Sequence, residues 1–227
     1  MRTIALIAQK GGTGKTTLAL SLAVAAEHNG LSTLIVDLDP QATACKWGDR
    51  RTAETPAIVD AQASRLQQAL SKAEQAGFEL AIVDTPARVE QAAAEAARVA
   101  DLVIFPTKPS IYDLETLQTS LDLVHGRSKR PPVVVVNAVP PQGGRYEQAV
   151  EAIRKMGLAV CPTSLGHRVA HEYAALLGMS AAEYEPDGKA ANEIEAVYQS
   201  IRRLVDVSTR PGKRDRERAY EQAAESR

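Results

Sequence analysis

Short apolar runs recur near residues 3–8, 32–37, 56–59, 79–84, 101–106, 132–137 and 158–161, each about the length of one buried strand. The segments between them, notably 16–28, 62–75 and 113–125, have the composition and spacing of helices. A further helix is expected to start near Arg145, after the turn Gln142-Gly143-Gly144. In the first helix Thr17-Leu18, Leu22 and Ala25-Ala26 mark one buried face. Late in the chain Ile194, Val197, Ile201, Leu204 and Val205 form an amphipathic stripe, expected to pack on a sheet. Strands alternating with helices predict an α/β fold with a mostly parallel sheet covered on both sides. Such a sheet binds its ligands at the C-terminal ends of the strands. The ordered succession argues for a single domain over residues 1–207. From 208 to 227 the chain turns to Thr209-Arg210-Pro211-Gly212 and then a charge-rich tail, expected to be frayed or weakly helical.

Composition narrows the class. With 227 residues and 44% hydrophobic content the chain can bury a sizeable core, and at 4% aromatic that core is built from Ala, Val, Leu and Ile. No stretch approaches the roughly 20 apolar residues of a membrane span. The chain enters its first strand at once, which leaves no room for a signal peptide. Cys45 and Cys161 lie far apart with no C-x-x-C, so a reduced, cytoplasmic protein without a disulfide framework is expected.

The most specific chemistry follows the first strand. Ile4-Ala5-Leu6-Ile7-Ala8 leads into Lys10-Gly11-Gly12-Thr13-Gly14-Lys15-Thr16-Thr17. Glycines at that point let backbone N–H groups close around phosphate oxygens. Lys15 is placed to reach the β- and γ-phosphates, and the Thr16 hydroxyl to ligate Mg²⁺. The helix that starts there aims its positive end at the same anion. Gln9 stands where the usual phosphate loop has its first glycine, and Lys10 beside it is an added cation. It lies too early to duplicate the contact of Lys15.

This octet resembles the ParA/MinD family of deviant Walker ATPases, whose pattern is K-G-G-x-G-K-[ST]. The resemblance implies a P-loop NTPase fold, ATP and Mg²⁺ as cofactors, and a homodimer that sandwiches nucleotide, with Lys10 contacting phosphate across the interface. It continues in Asp37-Leu38-Asp39-Pro40-Gln41, similar to the family's switch I. That similarity implies that Asp39 orients the attacking water and that Asp37 helps hold the Mg²⁺ shell. Phosphoryl transfer rests on such positioning and electrostatics. Leu80 through Asp84 is an apolar strand ending in an acid, the Walker B arrangement, with Asp84 expected at Mg²⁺ and Thr85-Pro86-Ala87-Arg88 as switch II. Ala87 departs mildly from the family's second Pro or Gly.

Phe105-Pro106-Thr107-Lys108-Pro109-Ser110 and Asp113 look like the family's P-x-x-P-S-x-x-D stretch near the dimer face, and Ser110 is also placed to cap a helix. Asn137, ending the sixth apolar run, is similar to a residue that hydrogen-bonds adenine, although Ala138 replaces the arginine some members carry next to it. Cys161-Pro162-Thr163 with Arg168 resembles the family's late P-T-x-x-x-x-R segment, in which Pro162 and Thr163 would flank the base.

Partners are less sharply written. Net charge is −1, so no global basic field announces nucleic acid. The end of the chain is locally basic, with Arg202, Arg203, Arg210, Lys213, Arg214, Arg216 and Arg218. The resemblance implies salt-sensitive DNA binding without sequence preference, and Arg168, Arg202 and Arg203 are the candidate contacts. The ATP-bound form would then be nucleoid-associated. It also implies an adaptor protein, centromere-binding or cargo-binding, that stimulates hydrolysis. Residues 219–225 carry acids and lack bulky apolar side chains, so no membrane anchor is expected. The leading expectation is plasmid or chromosome segregation. The alternatives are positioning of a protein cargo, such as a chemoreceptor cluster or enzyme compartment, and a metabolic P-loop enzyme, against which Lys10 and the D-L-D-P-Q segment argue.

Overall fold

The seven apolar runs become strands of one sheet: β1 (Arg2–Leu6), β2 (Thr33–Asp37), β3 (Ala57–Asp60), β4 (Leu80–Asp84), β5 (Leu102–Thr107), β6 (Val133–Val136) and β7 (Ala159–Val160). The computed structural model describes residues 1–205, so the tail expected at 208–227, with its cluster from Arg210 to Arg218, lies outside the described residues. Strand order is β3-β2-β4-β1-β5-β6-β7, and every pairing is parallel. Strands β2, β4, β5 and β6 are buried at each position. This is why they read as continuous apolar runs and not as alternating ones.

The helices are α1 (Lys15–His28), α2 (Thr43–Arg50), α3 (Leu66–Gln75), α4 (Glu90–Val99), α5 (Ile111–Val124), α6 (Arg145–Lys155), α7 (Ala170–Leu176), α8 (Ala181–Tyr184) and α9 (Lys189–Val205), with a short 3-10 turn at Ala63–Arg65. Two apolar clusters lie on opposite faces of the sheet. One gathers α1, α2 and α9 against Ile4, Ile35 and Ile104; the other gathers α3, α4, α5 and α6 against Ala5, Val83 and Val134. Helices α7 and α8 pack beside α2 and α9, on the first side.

Three local expectations change. The segment from 62 opens as the 3-10 turn before α3 begins. Helix α1 is buried on all sides from Leu18 to Ala26, because α9 covers the face that a surface helix would expose; Thr17 is exposed. On α9, Ile194, Val197, Ile201 and Val205 are buried as expected, but Leu204 falls beside that stripe and is 41% exposed.

Candidate nucleotide site

The strand order puts the carboxyl ends of β2, β4, β1, β5 and β6 side by side, and the motif residues collect there. The loop between β1 and α1 turns on Gly12 (φ 72°) and Gly14 (φ 95°), both in the left-handed region where a side chain is strained. A methyl group at Gly14 would sit 2.0 Å from Asn137 Nδ2. Asn137 donates that amide to the Thr13 carbonyl at 2.8 Å and accepts from Ala138 N–H with its oxygen. The residue expected to read adenine thus clamps the phosphate loop onto the end of β6 in this structure.

Lys15 is buried, and its Nζ donates to the carbonyls of Ala8 (3.2 Å) and Lys10 (3.5 Å), inside the loop's own turn. Burial lowers its pKa, while the carboxylates of Asp84 and Asp39 act to raise it. Such an ammonium is under-neutralised and poised for an anion. Gly11 and Gly12 stay exposed at the mouth of the loop, and the Thr13 hydroxyl is buried without a partner.

Three acids face this loop. Asp84 ends β4, and its Oδ2 accepts from Thr16 Oγ1 at 2.6 Å; its Oδ1 is buried with no partner. Burial pushes the Asp84 carboxyl up to about 7, opposed by the Thr16 hydrogen bond and reinforced by Asp37. Asp37 is fully buried and spends both oxygens on backbone: Oδ1 on Asp39 N–H, Oδ2 on Ala44 and Cys45 N–H. It therefore shapes switch I and caps α2, a role that motif spacing alone did not reveal. Asp39 is half-buried and holds Gln41 N–H through Oδ1 at 2.9 Å. In switch II, Thr85 Oγ1 anchors to the Leu6 carbonyl at 2.7 Å, and Arg88 takes φ 61°. A cleft of about 400 Å³ opens between the switches, lined by Asp39, Pro40, Asp60, Pro86 and Val89. A larger cavity of about 630 Å³ lies between β3 and α3, and none of the phosphate-loop residues lines it.

Lys10 takes a different direction from Lys15. Its Nζ meets Asp113 Oδ2 at 2.8 Å, and Ser110 Oγ donates to the same oxygen at 2.5 Å. Ser110 caps α5 as expected, accepting from Asp113 N–H. Ile111 and Tyr112 beside it are 62% and 71% exposed, so the second lysine rests at an open apolar face.

The donor set fits Mg²⁺ carried in with a nucleotide. A hydroxyl already bonded to a carboxylate, and one buried carboxylate oxygen with nothing to bind, is what a cation bridged by phosphates would use. Among the described residues no cluster of His, Cys, Asp or Glu forms a cage able to hold a metal without such phosphates.

The late candidates are placed less closely. Leu165 and His167 hydrogen-bond along Val136 and Val139, which carries the 162–168 segment back beside the end of β6. Pro162 is exposed and Thr163 half-buried there, and neither touches the phosphate loop by a hydrogen bond. Arg168 is tied to Glu193 at 2.6 Å, and Arg202 donates to Gln199, while Arg203 is exposed. No helix among the described residues is long and apolar enough to cross a membrane.

Comparison with known proteins agrees with this geometry. The CobQ/CobB/MinD/ParA nucleotide binding domain matches residues 4–215. Maintenance of carboxysome distribution protein A from Gloeobacter kilaueensis is 34% identical over 212 residues, covering 90% of this chain and 94% of that protein. The chromosome-partitioning ATPase Soj of Thermus thermophilus is 30% identical over 147 residues, 51% of this chain and 58% of its own. Among solved structures, apo McdA from Cyanothece superposes with a TM-score of 0.73 over 88% of this chain and 99% of its own, at 18% identity, a likeness of fold.

Proposed function

Because the chain belongs to the CobQ/CobB/MinD/ParA nucleotide-binding family, we propose that it is a positioning ATPase that distributes a protein assembly over a DNA track. It binds ATP with Mg²⁺ and hydrolyses it. The observation that carries the reading is the division between the two lysines. Lys15 is folded into its own phosphate loop, whereas Lys10 points out to Asp113 at an exposed apolar face. A cation stationed there serves a second copy's nucleotide better than its own.

The reaction divides among the residues already placed. The loop N–H groups and Lys15 would hold the phosphates, Thr16 and Asp84 would hold the cation, and Asp37 fixes the switch I backbone. Asp39 orients the water, since one of its oxygens is spent on Gln41 and the other is left for it. Bound Mg²⁺ would supply neutralisation of the charge that develops on the transferred phosphoryl group. Exchange of the Lys10–Asp113 pair for a phosphate contact across the dimer makes assembly depend on nucleotide, because ATP then favours the dimer over the monomer. An adaptor on the cargo stimulates hydrolysis and resets the cycle.

The sequence put a plasmid or chromosome first as cargo. Relatives that match along nearly the whole chain carry names for carboxysome distribution, and those named for partition match about half of it, which favours the protein cargo. Sedimentation velocity and phosphate release test the switch. Asp39→Ala should dimerise with Mg·ATP, remain monomeric with ADP, and turn over at least about 100-fold more slowly than wild type. Wild-type turnover in that variant would remove the role given to Asp39. Deleting the gene in its host should collapse a protein assembly into clusters with replicon inheritance intact; replicon loss instead would return the cargo to DNA.

A further inference from the structure

Of the three residues nominated from the sequence for DNA, Arg203 is exposed, and the other two are engaged within the fold. Arg168 is clamped by Glu193, and Arg202 is engaged by Gln199. The loop between α5 and β6 offers a better surface. It reads His125-Gly126-Arg127-Ser128-Lys129-Arg130-Pro131-Pro132, and from residue 123 to residue 146 the chain contains no acid. Arg127, Lys129 and Arg130 are all exposed. Arg127 uses one donor on the Leu123 carbonyl, at the C-terminal end of α5, and no carboxylate lies within ion-pair distance of Arg127 or Arg130 among the described residues. Lys129 reaches Asp101 Oδ1 at 3.0 Å, and Arg2 approaches the same oxygen at 4.0 Å. Asp101 also accepts Thr3 N–H, so it is fixed in place and gathers two cations around one acid. Arg2, Arg127, Lys129 and Arg130 thus stand on this patch, and Asp101 is the carboxylate that pairs with two of them.

Its location is as telling as its charge. The loop precedes β6, and Arg2 opens β1, so the patch lies at the amino ends of the strands. The phosphate loop and the Lys10–Asp113 face lie at their carboxyl ends, roughly 17 Å away across a five-residue strand. A nucleotide dimer closed through Lys10 leaves the patch uncovered.

We propose that the α5–β6 loop, with Arg2 beside it, is the surface that holds DNA phosphates in the ATP dimer. This rests on the reading of the protein as an ATPase that tracks along DNA. Each neutralised phosphate steepens the salt dependence by about 0.9 in log K per log salt. Three loop cations give one protomer a slope near −2.7 and a dimer one near −5.4, on that same scale of about 0.9 per contact. Pairing two weak patches turns the second engagement into an intramolecular one, so DNA binding follows dimerisation without any rearrangement of the loop itself.

The test uses the full chain with Asp39→Ala as the trapped dimer, Mg·ATP, and a fluorescent duplex of mixed sequence titrated over a salt series. Arg127→Ala, Lys129→Ala and Arg130→Ala together should keep ATP-dependent dimerisation, weaken DNA binding by at least about 100-fold at low salt, and flatten the slope by about 5. Arg130→Glu alone, at an exposed position, gives the same direction should the triple variant fold poorly. Arg202→Ala with Arg203→Ala should leave the slope nearly unchanged. Loop variants that dimerise and bind with wild-type affinity and slope would overturn the assignment while leaving DNA as the track. A trapped dimer with an intact loop that ignores DNA would instead remove the track, and this surface with it.

Discussion

Arg51 ties the end of α2 to the segment from 178 to 183, and replacing it by Met tests what that tie contributes. Its side chain is 6% exposed and joins three segments: Nε donates to the Thr55 carbonyl at 2.6 Å, and Nη1 to the Gly178 carbonyl at 2.9 Å. Both Nη atoms grip Glu183, at 3.0 and 2.6 Å, and the guanidinium lies 4.7 Å from the Trp47 ring. Removing one partner of a largely buried pair costs about 3–5 kcal/mol, and Glu183, 17% exposed, recovers some solvation, which favours about 3. The lost ring contact adds about 1. At this chain length each kcal/mol moves the Tm by about 2–4 °C, so a total of about 4 kcal/mol predicts a fall of about 8–16 °C in calorimetry. Adding Glu183→Gln should restore part of the loss, because it deletes the stranded charge. The pH dependence has a definite sign. Burial pushes the Glu183 carboxyl up, but the bonds from Arg51 and from Ser180 N–H outweigh it and hold the pKa below the ordinary 4.5. A depressed acid stabilises the fold above its unfolded pKa and loses that contribution as pH falls through its folded value. The gap between wild type and Arg51→Met should therefore be level from pH 6 to 8 on that sign and narrow below about 4.5. A Tm fall under about 3 °C, or a double variant worse than the sum of the singles, would refute the reasoning.

Gly14→Ala should abolish binding of a fluorescent ATP analogue, since the new methyl would overlap the Asn137 amide at a backbone angle that glycine alone adopts freely. A dissociation constant within about threefold of wild type would show that the loop re-forms around it. Asp113→Ala releases Lys10 from its resting partner at the cost of a first-turn acid on α5, about 1 kcal/mol of stability. Dimerisation with Mg·ATP should tighten; weaker dimerisation would mean that Asp113 guides the lysine across the interface and does not compete for it.

The strands were legible because a fully buried parallel strand announces itself as a short apolar run, and Val133–Val136 does so with four valines. The loop residues were legible because their spacing is local. Side-chain partners were not. Lys10 meets Asp113 across 103 positions and Asn137 meets Thr13 across 124, contacts that exist only because the sheet order is β4-β1-β5-β6. The Ala-rich α4 was not singled out, and helices α2, α7 and α8 were missed for a related reason. They are short, and Trp47 and Arg51 hold α2 by hydrogen bonds to residues 178 to 183, a distance no periodicity can express.

The same order explains how one loop serves two tasks. On one side of β1 stand β4 and β2, which bring Asp84, Asp37 and Asp39; on the other stand β5 and β6, which bring Asp113 and Asn137. The acids proposed for the cation and the water are thereby separated from the residues that hold Lys10 and clamp the loop. Variants on the first side should move hydrolysis at a given degree of dimerisation, and variants on the second should move dimerisation and nucleotide affinity together. Thr16 and Lys15 are where the two sides meet, since Thr16 bonds Asp84 while Lys15 bonds the carbonyl of Lys10. On the proposed reading, a nucleotide that draws Lys15 forward would release its 3.5 Å contact with the Lys10 carbonyl, and so would couple occupancy of the loop to the lysine proposed for the dimer face.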